Sequence, residues 1–180
     1  MRKLALALFA LGVGFALAGS ALRLAAWSGQ KTARAHWEEK AVEPVSSGDE
    51  NLTRLSFPLR GIEFFVQSGA STQNLLRGPA WIKWSALPGE NGNCIIVAHR
   101  DTHFSMLGDL KNGEQLIVQR SGRKYSYRIE KLAVVNAADL SFYQSSDGPV
   151  LTLVTCYPFS YLGKAPKRFI VRARLSETNS

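Results

Sequence analysis

A cysteine closes the apolar run Thr152-Leu153-Val154-Thr155-Cys156, and Arg168 follows twelve residues later. A histidine lies upstream in His99-Arg100-Asp101-Thr102-His103-Phe104. A thiolate attacks carbonyl carbon, an imidazole carries the proton, and a guanidinium steadies an oxyanion or a bound peptide carbonyl. The three residue types together point to acyl transfer through a thioester. Each also has a plainer reading. Cys156 on its own is a small buried hydrophobe, His99 a hydrogen-bonded loop residue, and Arg168 one of several basic side chains beside Lys164 and Lys167. The combination carries the weight.

The elements around these residues are short strands. Leu55-Phe57-Leu59 and Ile62-Phe64-Val66 alternate on either side of Gly61, and Ser71 is placed to cap a brief helix through Arg77. Cys94 to Ala98 forms an apolar strand that delivers His99 at its end. Leu116-Ile117-Val118 and Tyr125 to Ile129 flank a Ser121-Gly122-Arg123-Lys124 turn, and Val150 to Cys156 and Phe169 to Leu175 complete the set. In the last strand Phe169, Val171, Ala173 and Leu175 share one face, which predicts a core-facing side and turns Arg168 outward. The preceding strand sets Leu151, Leu153 and Thr155 against Thr152, Val154 and Cys156. Cysteine and arginine thus fall on the outer wall of neighbouring strands. Many short strands without long βαβ spacing predict a mainly β fold, a closed or nearly closed barrel with short helices.

The chain has 180 residues, a formal charge of +8 and a pI near 9.8. Its basic residues are scattered rather than gathered on one stripe, which argues against a nucleic-acid partner. Arg2 and Lys3 precede an uncharged stretch from Leu4 to Leu22, about 28 Å long as a helix, and Arg23 follows. The pattern predicts an uncleaved transmembrane signal anchor with the rest of the chain on the extracytoplasmic side of the cell membrane, a single-pass arrangement; Ala16-Leu17-Ala18 leaves a cleaved signal peptide as the rival. The expected organisation is a cytoplasmic tip and anchor over 1–26, a juxtamembrane helix and linker over 27–51, with spacer composition from Ala41 to Thr53, and a catalytic domain over 52–180. Two cysteines in an exported chain also admit a Cys94–Cys156 disulfide.

Three longer matches raise the reading above its parts: the Leu151 to Cys156 run, the His99 to Phe104 block, and Tyr157-Pro158-Phe159-Ser160-Tyr161-Leu162-Gly163-Lys164-Ala165-Pro166-Lys167-Arg168-Phe169. Over about Leu52 to Leu175 the sequence resembles the sortase family of membrane-anchored cysteine transpeptidases, class D in motif character. The resemblance implies a sortase β-barrel with Cys156 as nucleophile, His99 as general acid/base and Arg168 as the residue that holds substrate and oxyanion. Thr155, Asp101, Thr102, Ala98 and Tyr157 become candidates for binding substrate or orienting the catalytic groups.

The resemblance also implies partners. They are secreted proteins or peptides bearing a C-terminal Leu-Pro-x-Thr-Gly-like sorting signal, and an amine acceptor in the envelope or on another protein. Thiolate chemistry requires no metal cofactor. Some relatives respond to calcium, and this chain carries no compact EF-hand loop. His99 and His103 are four apart but lack an H-E-x-x-H pattern. Three features depart from the family pattern: Ala98 where many relatives have glycine, Cys94 at a usually aliphatic position, and Trp81-Ile82-Lys83-Trp84-Ser85. The rival functions are an exported cysteine peptidase whose thioester goes to water, and a non-catalytic membrane-anchored binding module. An L,D-transpeptidase fits poorly, because Val154-Thr155-Cys156 lacks the expected Ser-x-Gly-Cys context.

Overall fold

Eight strands close on themselves, so every strand finds a partner on both sides and no open sheet edge is left over most of the barrel. The structure is a computed structural model that describes residues 2–41, 53–160 and 163–179. Helix α1 spans Arg2–Ala41, followed by β1 (Thr53–Phe57), β2 (Ile62–Ser68), α2 (Thr72–Arg77), β3 (Ala80–Trp81), β4 (Gly92–Val97), β5 (Gln115–Arg120), β6 (Arg123–Asn136), β7 (Pro149–Tyr157) and β8 (Lys167–Asn179). The strand order around the barrel is β1-β2-β3-β4-β7-β8-β6-β5, with β5 returning to β1. The pairs β2–β3 and β4–β7 are parallel, and the others antiparallel. The spacer expected between Ala41 and Thr53 lies, apart from its two ends, outside the described residues.

Period-two alternation fills the barrel. Leu55, Phe57, Val66, Ile96, Leu116, Val118, Tyr127, Leu151, Leu153, Val171 and Ala173 form one buried cluster. Phe169 packs at its margin, as the last strand's pattern requires. A second, smaller cluster of Ile95, Phe142, Val154 and Ile170 sits on the outer face of β4, β7 and β8. Local chemistry explains the boundaries. Ser71 caps α2 by accepting from the Asn74 N–H at 3.2 Å. Ser121 and Gly122 both have positive φ, 48° and 75°, and make the tight β5–β6 hairpin. β6 and β8 run well beyond their apolar cores, to 14 and 13 residues, because they pair with each other across two register shifts.

The expectation of a transmembrane signal anchor is corrected here, and with it the single-pass cell-membrane location and the membrane as a partner. Among the described residues no helix is long and apolar enough to cross a membrane. The helix does not stop at Leu22. It continues through Arg23, Lys31, Arg34 and Glu38 to Ala41, and its second half is fastened to the barrel. The Gln30 amide acts there as a substitute strand: its Nε2 donates to the carbonyls of Phe65 and Arg77, each at 3.0 Å, and its Oε1 accepts from the Phe65 N–H at 2.7 Å. β3 covers only Gln67 and Ser68 of β2, so this side chain occupies edge positions that would otherwise be open. A Cβ at Gly29 would lie 2.8 Å from the Arg77 Cα, so glycine is what lets α1 approach α2 this closely. Trp37 adds a ring contact to Phe65 at 5.9 Å.

Candidate active site

Register places the three candidate groups in one row. Val97, Val154 and Ile170 are mutual neighbours across β4, β7 and β8, and they belong to the outer apolar cluster. Two residues further along each strand on the same face come His99, Cys156 and Arg168. Cys156 and Arg168 are a direct cross-strand pair. The β4–β7 ladder continues past Val97 through the Ala98 N–H, which donates to the Val154 carbonyl at 3.2 Å. With strands about 4.8 Å apart, the row spans roughly 10 Å with the thiol at its centre.

Each side chain has its own setting. Cys156 is half-buried and free. Arg168 is also half-buried, and its Nη1 donates to the carbonyls of Ala165 at 3.3 Å and Lys167 at 2.9 Å, which fixes one arm of the guanidinium against the backbone. His99 is exposed, and its carbonyl accepts from the Phe104 N–H at 3.0 Å, closing the loop that carries it. Thr155 points inward, and its hydroxyl donates to the Ala98 carbonyl at 2.8 Å, joining the residue before Cys156 to the residue before His99. Ala98 itself is buried in the barrel cluster. Asp101 and Thr102 lie in the cleft at the His99 end of the row. Tyr157 is not brought to this face. It stacks on Phe169 at 6.2 Å, on the side away from Cys156.

His103, the nearest rival histidine, is buried. Burial and then the neighbouring His99 push its pKa down to about 4, and Thr102 Oγ1 lies 3.2 Å from its Nδ1. It is a neutral packing residue against Phe64. Cys94 points into the barrel, where burial drives its thiol up to about 12. It pairs in register with Leu151, on the opposite face from Cys156, and both cysteines are free. The disulfide alternative therefore falls on geometry. Cys94 packs as the aliphatic residue it replaces. Among the described residues, no three His, Cys, Asp or Glu side chains converge as a metal site.

The segment Ser141–Tyr143, a single 3-10 turn, escaped the sequence reading. Phe142 covers the outer cluster beside the row, and Asn93 holds it there by donating to the carbonyls of Phe142 at 2.8 Å and Gln144 at 3.1 Å. The Asn93 Oδ1 in turn accepts from Thr152 at 2.6 Å, in full burial. Tyr143 lies within the field of Arg168; burial raises its pKa and the guanidinium opposes that rise. Trp84 packs on Tyr143 at 5.4 Å while remaining exposed, whereas Trp81 turns its indole N–H to the Ala86 carbonyl at 3.1 Å. The signal was present: Asn93 and Thr152 are polar residues inside otherwise apolar strands, and such residues need buried partners.

Comparisons with known proteins identify the family to which the barrel belongs. A sortase-domain family model matches residues 55–176. The chain is 34% identical over 145 residues to Sortase D of Bacillus subtilis (strain 168), covering 80% of this chain and 73% of that protein. Among solved structures, the catalytic domain of B. anthracis SrtD superposes with a TM-score of 0.62 at 31% identity, covering 77% and 95% of the two chains. A Clostridium perfringens Sortase D5 transpeptidase gives 0.66 at 21% identity, covering 85% and 99%, a likeness of fold. On the family match over residues 55–176 and the 34% identity to Sortase D, the chain belongs to the sortase family of cysteine transpeptidases, enzymes that act through a catalytic cysteine on proteins bearing sorting signals.

Proposed function

We propose that Cys156, His99 and Arg168 carry the transpeptidase reaction on a catalytic unit spanning 52–180. The observation that supports these roles is the single row across β4, β7 and β8. The Cys156 thiolate, its proton held on His99, attacks the threonyl carbonyl carbon of a Leu-Pro-x-Thr-Gly-like signal, and Arg168 receives the negative charge that develops on the oxygen. The C–N bond breaks as His99 gives its proton to the departing amine. The resulting thioester is attacked by an acceptor amine, which passes a proton back to His99 while the C–S bond breaks and returns the thiolate. Thr155 acts as a positioning residue by tying the two strand ends together. Asp101 and Thr102 border the His99 end, and Ala98 sets the backbone height there.

The test is intact-mass spectrometry of the full chain with a library of Leu-Pro-x-Thr-Gly variants, with and without an added amine. A thioester adduct on Cys156 that resolves into amine-linked product is expected. Cys156→Ala should give no adduct, and His99→Ala and Arg168→Ala should each slow adduct formation by about a hundredfold or more. An adduct that persists in Cys156→Ala overturns the assignment. Resolution by water alone makes the protein a peptidase.

A further inference from the structure

The row has two ends that do different work. Arg168 and the Ser141–Tyr143 turn bound the acyl end, while His99 stands where the leaving amine takes its proton. An incoming amine retraces the path of the leaving one, so the acceptor must approach over His99. That surface is already shaped. A cleft of about 360 Å³ there is lined by His99, Asp101 and Thr102 on one side, and by Arg23 and Gly19 of α1 and Leu76 of α2 on the other. It adjoins a second cleft of about 380 Å³ that shares Arg23, Asp101 and Thr102 and runs on between α1 and β2 to Glu63. One wall of the trough is therefore the N-terminal helix. That wall is held in place, because Gln30 is bonded to β2 and α2 through three hydrogen bonds seven residues beyond Arg23.

The trough carries two carboxylates and one guanidinium, and of the carboxylates Glu63, at its far end, is paired with Arg34 and Arg54. Arg23 contributes a guanidinium where the two clefts meet, and Asp101 a carboxylate beside His99. A carboxylate attracts the ammonium form of a primary amine, and a guanidinium takes a carboxylate or phosphate. We propose that this trough is the acceptor subsite and that Arg23 selects acceptors carrying an anionic group close to the attacking amine. The inference rests on the catalytic roles assigned above. α1 thereby supplies a specificity-determining residue to a site whose chemistry lies entirely on the barrel.

The experiment uses the full chain, with the Cys156 thioester preformed on a sorting peptide and followed by mass as an internal reference. Glycylglycine competes against glycylglycine amide, and in a second arm O-phosphoethanolamine competes against ethanolamine. An exposed guanidinium–anion contact corresponds to roughly a two- to fivefold preference for the anionic acceptor. Arg23→Gln should abolish that preference, and Arg23→Glu should reverse it. A preference confined to the phosphate pair assigns the anion as phosphate, and one confined to the carboxylate pair as carboxylate. An unchanged product ratio in Arg23→Gln with the thioester intact overturns this inference alone. Absence of any thioester on the wild-type chain overturns the catalytic roles and this inference with them.

Discussion

Replacing Thr155 by valine isolates the link between the two strand ends that lead to the proposed nucleophile and base. Valine keeps the branched shape and volume but removes the hydroxyl that donates to the Ala98 carbonyl at 2.8 Å, in a position only 2% exposed. The loss is one buried hydrogen bond, with a carbonyl left short of a partner, together about 1–3 kcal/mol. For a domain of this size each kcal/mol is worth roughly 3–4 °C, so Tm should fall by about 3–12 °C. The kinetic effect follows from geometry. Ala98 directly precedes His99, and a displacement of the base by a fraction of an ångström should lower the acylation rate about tenfold. Thr155→Ser, which keeps the hydroxyl, should lose stability through its missing methyl yet retain most of the rate. Thermal unfolding and single-turnover acylation on the three proteins decide the matter. Thr155→Val with wild-type Tm and rate would refute the link.

Three further outcomes follow from side chains away from the row. A thiol reagent applied to the native protein at pH 8 should modify Cys156 alone, with Cys94 reacting only after unfolding, because burial holds its thiol near 12; two fast-reacting thiols by mass would contradict its place in the barrel. His103 is kept neutral when folded, its pKa near 4 against 6.5 when unfolded, so the unfolded chain binds the extra proton between those values. Stability from this residue is complete above pH 6.5 and is lost as pH falls toward 4, by at most about 3 kcal/mol. Denaturant midpoints should show that slope, and His103→Gln should flatten it. Gly89 has φ +86°, and a Cβ there would lie 2.1 Å from the Tyr125 ring; Gly89→Ala should cost about 2 kcal/mol or more in chemical denaturation, and a loss under about 0.5 would show that the turn yields freely.

The placement of the candidate row was legible because strand alternation is a short-range rule. Arg168, Ile170 and Arg172 against Phe169, Val171 and Ala173 shows which way β8 faces, and Cys156 falls on the matching face of β7. The capping Ser71 and the Ser121-Gly122 turn are equally local. What stayed hidden depends on distant partners. β6 extends to Asn136 only because β8 lies beside it, and Phe142 becomes a cover for the site only through Asn93, 49 residues away. The apolar stretch from Leu4 to Leu22 reads as a membrane anchor because hydropathy is counted over a local window and cannot see that the helix runs on to Ala41, where its later turns pack on the barrel. Tyr157 adjoins Cys156 in sequence, and that nearness concealed a side chain on the opposite face.

The pairing of β4 with β7 has a consequence for biosynthesis. The bond from Thr155 to Ala98 joins residues 57 apart in the chain, and Arg168 reaches the thiol only once the final strand has been laid down. Contacts of such long range form late, after the loops between them have closed. A chain emerging N-terminus first can set Cys156 beside His99 once β7 has paired with β4, but it lacks the arginine until β8 is made. The row of three proposed catalytic groups is complete only when the last strand closes the barrel, and acquisition of thioester chemistry marks completion of the fold.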